Sequence, residues 1–94
     1  MTDDLVAFNI IISGKVQGVY FRATMKTIAD AKNVLGWVRN LDEGRVEALI
    51  QGRKPDVDEI LDWCRTGPTK ARVDKITITE LKADPSVRNF AIVF

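Results

Sequence analysis

Histidine is absent from the chain. That gap removes the side chain most often used as a general base and the one most often used to ligate transition metals. Cysteine is nearly absent as well. Cys64 is the single one, so no internal disulfide can form, and this usage suits a reducing cytoplasm. One Cys and no His together argue against a structural zinc site. Charge of neither sign prevails: 14 Lys and Arg face 13 Asp and Glu, a formal net charge of +1. General nucleic-acid and membrane binders carry a larger basic excess, so any anion binding here is expected to be local. No apolar run is long enough to span a bilayer. The start, Met1-Thr2-Asp3-Asp4, is acidic and lacks the basic opening of a signal peptide. The expectation is a cytoplasmic protein.

What is present is ample apolar content, 46% of 94 residues. That is globular rather than disordered, and the length predicts one domain over residues 1–94 with one core. Such a domain folds with only a few kcal/mol in hand.

Val6, Phe8, Ile10 and Ile12 alternate, with Leu5, Ala7 and Ile11 between them, which predicts a strand over about Leu5 to Ser13. Phe21, Met25, Ile28 and Ala29 follow helical spacing and predict a helix from Phe21 to Lys32, with Asn33 as a left-handed C-cap. Leu35 to Leu41 reads as a second strand. Asp42-Glu43-Gly44 reads as a turn, with Gly44 free to take positive φ. Arg45 to Gln51 then alternates and completes a hairpin. Pro55 suits the first position of a helix, with Asp56, Asp58 and Glu59 in its first turn. Val57, Ile60, Leu61 and Cys64 form its apolar stripe, and Gly67-Pro68 stops it. Val73 to Leu81 reads as a fourth strand. Val73 is out of phase with Ile76 and Ile78, which points to a bulge near Asp74-Lys75. After Pro85-Ser86, the residues Phe90, Ile92 and Phe94 form a last short strand.

The order β-α-β-β-α-β plus a terminal strand is the split βαβ pattern, an α+β ferredoxin-like sandwich with two helices on one face of an antiparallel sheet. A right-handed crossover leaves the first two strands pointing the same way. Their C-terminal ends then share one edge of the sheet, with the third strand between them. The segment Gly14-Lys15-Val16-Gln17-Gly18-Val19-Tyr20-Phe21-Arg22 leaves the first of these ends. Asn40, closing Gly36-Trp37-Val38-Arg39-Asn40, lies near the second. The two are predicted to be neighbours in space.

That neighbourhood has a chemistry. Gly14 and Gly18 permit open or left-handed backbone, so the amides between them can converge on an anion. A helix start adds free N–H groups and a positive dipole end, and Arg22 adds a guanidinium fork for two phosphoryl oxygens. The spacing is not that of a nucleotide motif. A P-loop reads G-x-x-x-x-G-K-[ST], whereas three residues separate Gly14 from Gly18 and Val19-Tyr20 follow. G-x-G-x-x-G is absent too, so a phosphoryl group fits better than a nucleotide. Taken alone, the glycines could make a plain strand-to-helix turn, and Arg22 could be a solvated helix-start arginine. Gln17 could line the pocket or brace the loop. Val16, Val19 and Phe21 read as core or loop packing, and Trp37 and Val38 as packing. Arg39 and Arg45 read as solvated strand residues. Asn40 cannot deprotonate water, but its amide can orient one, or it can simply bond to the following turn.

These residues resemble the acylphosphatase family. Gly14 to Arg22 is similar to the family's first signature, and Gly36 to Asn40, continuing through Gly44-Arg45-Val46-Glu47, to its second. Gly67-Pro68 with Ala71 and Val73 also resembles it, so the likeness spans nearly the whole chain. The resemblance implies a ferredoxin-like fold and metal-independent, cofactor-free hydrolysis of a carboxyl phosphate to carboxylate and inorganic phosphate, a reaction on an acid anhydride. It implies that Arg22 binds the phosphoryl oxygens with the loop amides of Gly14, Lys15, Val16, Gln17, Gly18 and Val19, and that Asn40 orients the attacking water. Implied partners are a small acyl phosphate and inorganic phosphate as product and inhibitor, with no nucleic acid, no membrane and a monomeric state. Lys32, Asn33 and Glu43 depart from the family's usual apolar residue, glycine and aspartate.

Two other classes compete. Ferredoxin-like sheets also serve as RNA or protein-binding platforms, but no segment here resembles the RNP1 run of an RNA-binding sheet. An interaction or carbamoyl-phosphate-handling module is the third, since related domains begin larger hydrogenase-maturation proteins. Ending at Phe94, the chain is expected to be a free-standing enzyme.

Overall fold

The computed structural model describes residues 5–94, so the acidic start read above lies outside the described residues. The first alternating segment becomes β1, Leu5–Lys15. It runs two residues past the predicted end because it keeps pairing with β4 (Arg72–Leu81), through Gly14 opposite Val73 and Lys15 opposite Arg72. The register shifts between Ser13 and Gly14, leaving Asp74 as the extra residue of the predicted bulge. Gly14 is needed here. Its φ is +131°, and a Cβ on it would fall 2.1 Å from the Arg72 carbonyl oxygen.

The helix α1 spans Phe21–Lys32 and ends, as predicted, on Asn33 in left-handed conformation with φ 57°. β2 (Leu35–Asn40) and β3 (Val46–Arg53) flank one 3-10 turn over Asp42–Gly44, in which Glu43 (φ 65°) as well as Gly44 (φ 81°) is left-handed. The second helix, α2, is Lys54–Cys64. It opens one residue before Pro55, which costs nothing, since a first-turn N–H has no helical partner.

The sheet order is β4-β1-β3-β2-β5, with β5 at Phe90–Ile92. β3 is antiparallel to both β1 and β2, so those two strands run the same way, as the crossover argument required. The strands β4-β1-β3-β2 form the expected antiparallel sheet, and the short C-terminal strand β5 extends it by pairing parallel with β2, which makes the whole sheet mixed. The connection from β4 to β5 passes from one edge of the sheet to the other. Gln51 anchors it on the way: its buried amide donates to Asp84 O at 2.9 Å and accepts from Asp84 N at 2.8 Å.

Both helices cover one face. Ile10, Ile12, Val38, Val46, Ala48 and Ile50 of the sheet pack against Phe21, Met25 and Ala29 of α1 and Val57, Ile60 and Cys64 of α2. Burying each large side chain of this set contributes roughly 1.5–3 kcal/mol. Phe21 and Trp63 add a tilted ring pair with centroids 5.0 Å apart. Among the described residues no helix is long and apolar enough to cross a membrane.

Candidate active site

The loop between β1 and α1 is held at three kinds of point. Val16 and Val19 are buried in the core, which pins its ends. Gly18 turns it with φ 73°, and Tyr20 turns it again with φ 65°, a conformation that costs a non-glycine residue about 1–2 kcal/mol. Gln17 then ties it to the facing hairpin, donating from Nε2 to Leu41 O at 2.8 Å and to Arg45 O at 2.9 Å. Of the two roles open to Gln17 in the sequence, it fills both, since it also lines the cavity described next.

The start of α1 is uncapped. Tyr20 offers no side-chain cap, no acidic residue lies in the first turn, and the first helical bond runs from Thr24 N to Tyr20 O. The amides of Phe21, Arg22 and Ala23 therefore have no helical partner and end the helix with partial positive charge. Arg22 projects from this turn.

Arg22 and Asn40 line one cavity of about 430 Å³. Val16, Gln17 and Gly18 supply its loop wall, and Phe21 and Ala23 the helix start. Tyr20, 79% exposed, and Ile92 and Phe94 supply an apolar rim. Arg22 carries the one charged side chain of this lining. An anion would thus meet a cation, helix-end dipoles and an amide, with no carboxylate side chain in the lining to repel it. A cavity of this size suits a small molecule.

Gly14, Lys15 and Val19 do not line the cavity. Gly14 serves the bulge, Lys15 ends β1 exposed, and Val19 faces the core. Tyr20, Ala23, Ile92 and Phe94 line it without having been singled out as site residues in the sequence. The alternation Phe90, Ile92, Phe94 was the available signal for the last two, but it did not tell which strand they would join.

Arg39 is not simply solvated. It donates to Glu47 Oε1 from Nε at 2.9 Å and from Nη2 at 2.6 Å, and it stacks over Trp37 at 5.1 Å. Burial raises the Glu47 carboxyl, but the Asn9 amide, with Arg39 and Arg45, outweighs it and leaves the carboxyl below its usual range. Arg45 keeps its side chain outside the cavity, with a buried Nε that has no hydrogen-bond partner. Among the described residues no three His, Cys, Asp or Glu side chains converge as a metal site would require.

A loop with a helix-start arginine that shares a cavity with a strand-end asparagine, on a five-stranded α+β sandwich, defines a small ferredoxin-like domain. The sequence model of the acylphosphatase family matches residues 8–92. An acylphosphatase of Roseiflexus sp. (strain RS-1) is 41% identical over 91 residues, 97% of this chain and 98% of the relative. The crystal structure of acylphosphatase from Bacillus subtilis superposes with TM-score 0.89 at 34% identity, covering 95% of this chain and 99% of that one. An acylphosphatase structure from Coxiella burnetii gives TM-score 0.87 at 31% identity over 96% and 94%. The chain belongs to the acylphosphatase family.

Proposed function

We propose that the protein, a single domain over residues 1–94, hydrolyses the carboxyl–phosphate bond of acyl phosphates. The observation that carries this reading is the joint lining of one cavity by Arg22 and Asn40 together with residues of the 16–20 loop. Arg22 and the free amides of the loop and helix start hold the phosphoryl oxygens. The amide of Asn40 orients a water in line with the bond to be broken. Water oxygen bonds to phosphorus as the phosphorus–carboxylate oxygen bond breaks, and the electron pair leaves on the carboxylate. The water proton ends on a phosphoryl oxygen, so the products are carboxylate and monoanionic or dianionic phosphate according to pH.

So few groups suffice for a chemical reason. A carboxylate is a good leaving group and needs no strong acid, and phosphoryl transfer is mostly positioning and charge stabilisation. The apolar rim of Tyr20, Ile92 and Phe94 is suited to the acyl part. The reading extends to a cytoplasmic monomer inhibited by its phosphate product, without metal or cofactor.

The test is hydrolysis of benzoyl phosphate in the presence of a chelator, for wild type, Arg22→Ala and Asn40→Ala. Each substitution should lower turnover on the order of 10²–10³-fold, as loss of a preorganised donor does. Wild-type turnover in Asn40→Ala would remove the water-positioning role. Absence of hydrolysis in the wild type would favour a non-catalytic binding module.

A further inference from the structure

We propose that Gln17 is a positioning residue for the attacking water, acting through Asn40 rather than on the phosphate. This rests on the roles given above to Arg22 and Asn40. A glutamine amide has two N–H donors. Here both are committed, one to Leu41 O at 2.8 Å and one to Arg45 O at 2.9 Å. Neither is left to donate to a phosphoryl oxygen while those bonds stand.

The two acceptors bracket the Asp42–Gly44 turn, and Leu41 follows Asn40 directly. The same Arg45 carbonyl also accepts from Leu41 N at 2.7 Å, so the turn is closed at one node and Gln17 grips that node from the loop.

The sheet pairs Asn40 with Val46 of β3 but does not tie either residue to the loop. Its last rungs at this end, Ile12 opposite Val46 and Asn40 opposite Val46, stop short of the loop. Among the described residues no other hydrogen bond joins residues 16–20 to residues 40–45. The Asn40 side chain is exposed and has no protein partner of its own among the described residues. Its position is set by its backbone, and the Gln17 amide fixes that backbone against the phosphate loop. In-line attack is intolerant of displacement: a misplacement of about 1 Å costs on the order of 10²-fold in rate.

A double-substitution cycle tests this, with benzoyl phosphate turnover and inhibition by inorganic phosphate measured for wild type, Gln17→Met, Asn40→Ala and the pair. Methionine keeps the length of the side chain and removes both donors. Expected is a loss in kcat of roughly 10²-fold in Gln17→Met. The phosphate inhibition constant should stay within about 2-fold, and the pair should be no slower than Asn40→Ala by more than about 2-fold. Three results would overturn the proposal: kcat kept near wild type in a folded Gln17→Met protein, weakened phosphate inhibition as its main effect, or losses that multiply in the pair. If circular dichroism finds Gln17→Met unfolded, Gln17→Asn, too short to reach both carbonyls, goes through the same cycle with the same criteria. An inactive wild type would overturn the hydrolase reading itself, and this proposal with it.

Discussion

The Arg22 guanidinium lies over the ring of Phe94, 5.5 Å from its centroid. The segment just past the edge strand β5 thus brings an aromatic to the mouth of the cavity, alongside the β2 end that carries Asn40. A cation–π contact at an exposed site is worth about 0.5–1 kcal/mol, and the Phe94 ring is fully exposed. Replacing the ring should loosen the guanidinium without removing it. Phe94→Ala is expected to raise KM for acetyl phosphate about 2–5-fold, with a smaller change in kcat. Acetyl phosphate is the informative substrate because it has no ring to lose a contact of its own. Phe94→Trp should restore the wild-type KM, and an unchanged KM in the alanine variant would show that the contact does not steady Arg22.

Gly14 in the β1 bulge and Gly18 in the loop that follows both take positive φ, but for different reasons, and substitution separates them. A Cβ at Gly14 meets backbone, the Arg72 oxygen at 2.1 Å and the Asp74 nitrogen at 2.9 Å, on top of a positive φ. At Gly18 a Cβ meets no atom within 4 Å, so only the φ of +73° opposes it. Gly18→Ala should cost about 1–2 kcal/mol of stability, the ordinary left-handed penalty. Gly14→Ala should cost more than that, because the bulge with β4 must also shift. Urea denaturation midpoints of the two variants decide this, and equal losses would contradict the close-approach argument.

Glu47 makes stability depend on acid. Burial works to raise its carboxyl, yet the Asn9 amide, the Arg39 hydrogen bonds and the charges of Arg39 and Arg45 hold it below 4.5, its ordinary value. A lowered carboxyl stabilises the fold above its unfolded value, and that contribution is lost as pH falls through the folded value. Glu47→Gln should therefore destabilise most at neutral pH, and its deficit relative to wild type should shrink below about pH 4.5. Urea midpoints at neutral and strongly acid pH test the sign. A deficit that stays constant would mean that packing, not charge, sets the cost.

What could be read from the sequence was what is encoded locally. Asn33 was legible as a left-handed cap because a short amide side chain tolerates that region. The Asp74 bulge was legible because Val73 broke the phase of Ile76 and Ile78. The meeting of the Arg22 loop with Asn40 followed from the handedness of one crossover. What was not legible depends on distant or typeless partners. Three residues of β5 carry no mark of the edge they will join, so Ile92 and Phe94 were missed as cavity lining. Gln17 bonds to backbone carbonyls 24 and 28 residues away, and a carbonyl gives no residue-type signal. Tyr20 adopts φ 65°, as Glu43 does, without the Gly or Asn that usually announces it.

Cys64 looks reactive as the only thiol in the chain, but its surroundings predict the opposite. It sits fully buried on the inner face of α2, and burial pushes its thiol from 9.0 up to about 12, against a small opposing pull from Arg65. The thiolate is the reactive form, so the native protein should resist thiol reagents at pH 8. Labelling should track unfolding as urea is raised, and hydrolysis should be unaffected by reagent in the native state. The sign in alkali is also fixed. A group whose pKa is raised by folding stabilises fully below its unfolded value, and this stability is lost as pH rises from 9.0 toward about 12. Cys64→Ala should lack that alkaline loss while paying for the smaller side chain at every pH. Rapid, complete labelling of folded protein at pH 8 would show that the α2–sheet seam opens far more readily than its packing implies.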